Sequence, residues 1–149
     1  MKFFLLLILF GLFVLIAIFV YSIYLFRSKL YQDMIYICRF LKNNISFNKN
    51  DINTILRESY QCISKSSKFI IQYRDNQCIK FITKKDCVMN DFYNSLGRAD
   101  VDYEINNLNY YEDRFLQLFE KSHNDLKTNG SMYFKLIIGL GLVVFILLI

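Results

Sequence analysis

Twenty-four consecutive residues, Phe3 to Phe26, carry no charge. At about 1.5 Å of rise per residue, a helix of that length crosses a hydrocarbon core of roughly 30 Å with room for tilt. The segment therefore reads as a transmembrane helix over 3–26. A second apolar stretch, 132–149, is interrupted only by Lys135. That ammonium lies close enough to the start of the segment to reach back to the headgroups, so this is a second, shorter span. A cleaved signal peptide is the rival for the first segment, since Lys2 supplies a basic start. The apolar run exceeds the roughly 7 to 15 residues usual for such a peptide, and no small-x-small cleavage pattern follows it. Tyr21, Tyr24 and Tyr133 fit rings placed at the membrane interface.

Basic residues set the expected orientation. Arg27, Lys29, Arg39 and Lys42 follow the first span, Lys121, Lys127 and Lys135 precede or enter the second, and only Lys2 lies outside. The positive-inside rule then places 27–131 in the cytoplasm and both termini across the membrane. The net charge of +5 adds a weak attraction to an anionic leaflet. It argues for no nucleic-acid partner, because the basic residues alternate with acids and form no stripe.

Between the spans lies one small soluble domain, 27–131, enough for a single core. Leu30, Met34, Ile37, Cys38, Leu41 and Ile45 recur at steps of three and four, the apolar face of an amphipathic helix that leaves the membrane directly. Ser46 to Asn50 is a polar connection, and Asn50 or Asp51 can cap a second helix, on which Ile52, Ile55, Leu56, Ser59 and Ile63 share a face. The two predict a helical hairpin. Phe69 to Ile71 and Cys78 to Thr83 are β-branched and aromatic enough for strands. The lack of an Asn-Gly or Asp-Gly turn between them favours helices. Ser64 to Ser67, Asp75-Asn76 and Lys84 to Asp86 are the natural breaks, and Val88, Phe92 and Leu96 give a further helical face. Gly97 supplies a left-handed C′ position and Asp100 an N-cap, with Asp102 and Glu104 near the positive end of the next helix dipole. This last helix carries Ile105, Leu108, Tyr111, Glu112, Phe115 and Phe119 on one side and runs to about Asn129. The fold class is all-α, a small helical bundle flanked by two transmembrane helices.

Chemistry-bearing patterns are sparse. The sequence has no phosphate-cradling G-x-x-x-x-G-K-[ST] loop, no H-E-x-x-H pair and no nucleophile elbow, so no catalytic residue, cofactor or enzymatic activity is assigned. His123 is the only histidine, and its place near a helix C-terminus suits a surface cation better than a catalyst. Asp100, Asp102 and Glu104 can be read as a divalent-cation cluster, but capping and dipole effects account for them more simply. Cys38, Cys62, Cys78 and Cys87 lack C-x-x-C spacing and are read as reduced thiols, so no metal site is assigned. Gly139 and Gly141 allow close helix approach but are not spaced as G-x-x-x-G.

Leu96-Gly97-Arg98-Ala99-Asp100, with Glu104 and Ile105 beyond it, resembles the L-G-x-S-D-x-x-x-Q segment of the stage III sporulation protein AB family. Met132-Tyr133, Lys135, Gly139 and Gly141 stand where that family has a Met-aromatic pair, a basic residue and a glycine-containing tail. Ala99 replaces the serine, Glu104 the glutamine, and Asn48 to Asp51 a proline-containing turn. The resemblance implies the mother-cell membrane facing the forespore of a spore-forming bacterium. It implies a domain similar to the cytoplasmic F domain of type II secretion platforms. As partners it implies a secretion-type sporulation ATPase (stage III sporulation protein AA) and other channel membrane subunits, beside the lipid bilayer. Lys49, Asp51, Arg98 and Asp100 are then the candidate partner contacts, because loops on a rigid helical scaffold carry recognition, and Gly97 with Asp100 forms the structural junction. The alternative is a membrane-anchored regulatory or sensor protein whose helical domain binds another partner.

Overall fold

The computed structural model describes residues 2–47, 52–65, 67–68, 88–97 and 100–148. Its elements are α1 (Lys2–Phe47), α2 (Ile52–Cys62), α3 (Val88–Ser95), α4 (Val101–Asp125), a π-helical turn (Leu126–Gly130) and α5 (Ser131–Leu148). No strand occurs among the described residues, and the protein is all-α. The two segments with strand-like composition, 69–71 and 78–83, lie outside the described residues, as do 48–51. By internal contacts the chain divides into two units, one made of Met1–Ser28 with Lys121–Ile149 and the other of Lys29–Glu120.

The first unit is an antiparallel helix pair. Phe10 meets Phe145 at 5.9 Å between ring centroids, Tyr21 meets Phe134 at 5.9 Å, and Tyr24 stacks on Tyr133 at 6.4 Å. Rising numbers on α1 thus face falling numbers on α5. Between the aromatic rungs, Gly141 brings its backbone against Phe13: a Cβ there would stand 2.9 Å from the Phe13 Cβ. Outward, the pair is hydrocarbon. Leu7, Leu15, Phe19, Ile146 and Leu147 are all more than half exposed, which water tolerates in scattered residues but not in a continuous sleeve. Both helices are long and apolar enough to cross a membrane, and such a sleeve fits a membrane protein. Inside α1, the Ser22 hydroxyl donates to the Ile18 carbonyl at 2.8 Å, so this polar group is satisfied without water.

The second unit is built the other way, apolar inside. Leu30, Met34, Ile37, Cys38 and Leu41 from α1 are fully buried, with Ile55 from α2, Met89 and Phe92 from α3, and Leu108 and Phe115 from α4. Phe92 is the hub, meeting Tyr93, Tyr111 and Phe115 edge-on at 5.2, 5.3 and 5.6 Å. Such pairs add about 0.5–1.5 kcal/mol each beyond burial. On α3 the buried positions are Met89 and Phe92, so its inward face is turned from the Val88, Phe92 and Leu96 line that spacing alone suggests. Beyond Cys62 the chain is tied back: the Ser64 hydroxyl donates to Asp33 at 2.6 Å and lies 2.9 Å from the Ser67 hydroxyl.

Candidate functional site

Two polar constructions organise the second unit. The first is the corner between α3 and α4. Gly97 has φ of 76°, a left-handed conformation that L side chains avoid. It ends α3 and turns the chain toward α4. The Asp100 carboxylate accepts from the Tyr103 N–H at 3.3 Å, and its carbonyl accepts the Glu104 N–H at 3.0 Å, capping the first turn of α4. Glu104, almost completely buried, reaches back so that its Oε1 accepts the Gly97 N–H. The Asn107 amide donates to the Ser95 hydroxyl at 3.0 Å, and that hydroxyl donates to the Phe92 carbonyl at 2.8 Å. The corner is thus held from both sides. Among the described residues the Glu104 Oε2 has no hydrogen-bond partner.

The second construction joins α1 to α4. Glu112 accepts from the Arg39 Nε at 2.6 Å and, through its other oxygen, from the Lys42 ammonium at 3.0 Å; Lys42 also donates to the Asn109 side chain at 3.0 Å. Burial works against the Glu112 charge, but the hydrogen bonds and charges of Arg39 and Lys42 outweigh it and hold its carboxyl below the usual range. Nearby, burial pushes the Cys38 thiol up to about 12, with the Glu112 charge adding to the effect. Cys38 is therefore a protonated, apolar filler at neutral pH. The exposed Cys62 is free; Cys78 and Cys87 lie outside the described residues.

Lys49, Asp51 and Arg98 also lie outside them, so of the four candidate contacts only Asp100 is placed: exposed, at the start of α4. No group of three or more metal-ligating side chains occurs among the described residues. Three functional side chains escape sequence reasoning. Arg39 and Lys42 read as orientation signals but are also structural donors to Glu112. Glu104 reads as a dipole-stabilising acid at the start of the helix but is the buried latch of the corner. A carboxylate on the inward line of an amphipathic helix, four residues before Leu108, is the signal that marks it.

Compared with known proteins, residues 72–149 match the family model for stage III sporulation protein AB. No curated protein and no solved structure matches the chain. The matched stretch contains the α3–α4 corner, all of α4, the π-helical turn and α5.

Proposed function

We propose, on the premise that the chain belongs to the stage III sporulation protein AB family, that it is a membrane platform subunit of the mother-cell-to-forespore channel, docking that channel's cytoplasmic ATPase. Membership carries a role in sporulation; the platform role, the ATPase and the mother-cell membrane are the finer reading. The family match over residues 72–149 carries it. The paired apolar helices at the two ends supply an anchor, and the helical unit between them, with no phosphate-cradling loop in its sequence, supplies a body suited to binding. In this reading 27–131 faces the cytoplasm, where the ATPase is, and the protein takes no part in the chemistry of ATP.

Docking would use the helix ends and connections, with Lys49, Asp51, Arg98 and Asp100 tuning encounter and specificity. The test is capture of the purified ATPase by the full-length protein in detergent. Reversing the charges at Lys49, Asp51 and Arg98 should weaken capture while circular dichroism stays helical. Asp100 is judged separately, because its side chain also caps α4. Equal capture by a variant lacking 27–131, or hydrolysis of ATP by the purified protein, overturns the docking role.

A further inference from the structure

A cleft of about 580 Å³ opens in the unit that bears the spans, lined by Tyr21, His123, Leu126, Lys127, Ser131 and Phe134. Its shape depends on the π-helical turn. At about 100° per residue, Leu126 and Ser131 would point about 140° apart on a regular α-helix. Here the Ser131 N–H donates to the Leu126 carbonyl five residues back, and the wider turn brings both residues to one cleft. Such turns are rare and recur at functional sites. Thr128 and Asn129 support it, the hydroxyl donating to the Asn124 carbonyl at 2.8 Å and the amide to Asp125 at 3.3 Å.

The lining divides by chemistry. Tyr21 and Phe134, edge-on to each other, come from the apolar segments 3–26 and 132–149, and Leu126 is buried. Lys127 is exposed, and it stands with His123 and Ser131 in the polar stretch that leads into the second apolar segment. No acid is among the described lining residues. Asp125, the last residue of α4 before the turn, faces Arg27 at 4.0 Å. The cleft is therefore apolar on one wall, cationic and hydroxylic on the other, and located where the chain passes from apolar to polar sequence.

We infer that this cleft binds one anionic phospholipid, its headgroup phosphate on Lys127 beside His123 and Ser131, and the upper part of an acyl chain along Tyr21, Leu126 and Phe134. The volume lies within the roughly 300–1,000 Å³ of small-molecule sites, enough for a headgroup and part of one chain. A zwitterionic headgroup fits less well, because its own cation meets Lys127. The inference needs the two helices to lie in a bilayer and is independent of ATPase docking.

The protein contains no tryptophan, so Phe134→Trp makes a single reporter on the cleft wall. Full-length F134W is reconstituted in phosphatidylcholine vesicles containing a minor fraction of lipid brominated on its acyl chains, either phosphatidylglycerol or phosphatidylcholine. Quenching should be stronger with brominated phosphatidylglycerol. Adding Lys127→Glu should reduce that preference roughly fivefold or more, the size expected for one basic residue at a membrane surface, while Lys121→Glu, exposed and outside the cleft, should leave it intact. Native mass spectrometry of the unlabelled protein provides a second readout, with phosphatidylglycerol retained by the parent chain and lost from Lys127→Glu. Equal quenching by the two lipids overturns the inference, as does an equal effect of the two lysine substitutions. Loss of the preference on adding soluble glycerol phosphate would assign the cleft to a free anion and overturn the lipid assignment.

Discussion

Gly139 and Gly141 sit two residues apart on α5, about 200° around a helix at about 100° per residue, so only one can face a given partner. Gly141 is the buried one: an added Cβ would stand 2.9 Å and 3.1 Å from the Phe13 Cβ and Cγ, whereas nothing lies within 4 Å of a Cβ at Gly139. The Phe13 Cβ is fixed by its backbone and cannot swing away as the end of a long side chain can. Gly141→Ala should therefore force the helices apart and cost about 1–3 kcal/mol, the usual range for overpacking. Gly139→Ala should be neutral or stabilising, since alanine is favoured over glycine within helices by roughly 0.5–1 kcal/mol. Thermal melts of the two full-length variants in one detergent check this, and equal Tm values for both would sink the close approach at Gly141. Sequence offers both glycines as contact candidates; which of them meets Phe13 depends on the register between α1 and α5, a tertiary quantity that no local pattern carries.

Between elements, the α3–α4 corner and the Glu112 clamp hold the second unit by different physics. At the corner the requirement is backbone conformation together with one acceptor. Gly97→Val should destabilise by about 1 kcal/mol or more, because a β-branched residue disfavours positive φ; Gly97→Asn should cost less, asparagine being among the residues that tolerate that region. Glu104→Gln should keep the corner, since an amide oxygen can accept the Gly97 N–H as the carboxylate does. Glu104→Leu should lower Tm by leaving the Gly97 N–H without its partner. A glutamine at this position in the resembled motif is consistent with that exchange. At the clamp the requirement is charge. The Glu112 carboxyl is held below its ordinary value of 4.5, so its contribution is complete above that value and is lost as pH falls through the folded-state pKa. The Tm gap between the parent protein and Glu112→Gln should be widest near neutral pH and close in acid; a gap constant with pH would show that the ion pairs contribute nothing. The amphipathic lines of α1 and α4 are legible in sequence because period 3.6 is local. The pairing of Arg39 and Lys42 with Glu112 is not, because it joins residues about seventy positions apart.

At the scale of the whole molecule, one chain builds two units with opposite dispositions of apolar surface. The span-bearing unit turns leucine, isoleucine and phenylalanine outward, and the other turns them inward around Phe92. The contrast is readable in the sequence: an uncharged run of 24 residues and an apolar stretch broken only by Lys135 predict the first, and apolar residues at steps of three and four among charges predict the second. The π-helical turn is not readable, since Leu126 to Gly130 shows only a Thr-Asn-Gly weakening of the helix and not which hydrogen bonds replace the α pattern. The cysteines provide a test of orientation and packing together. Single-cysteine variants retaining Cys62 or Cys38, with the other cysteines replaced by alanine, are treated in protoplasts with a membrane-impermeant maleimide. If 27–131 faces the cytoplasm, as the positive-inside rule predicts from the flanking basic residues, Cys62 should stay unmodified until lysis and then react quickly, being exposed. Cys38 should remain slow even after lysis, because it is buried and its thiol is pushed up to about 12, and should react only when the protein is denatured. Labelling of Cys62 before lysis would reverse the orientation and overturn the proposed docking of a cytoplasmic ATPase. Rapid labelling of Cys38 in the folded protein would contradict the packing of α1 in the second unit, whatever the orientation.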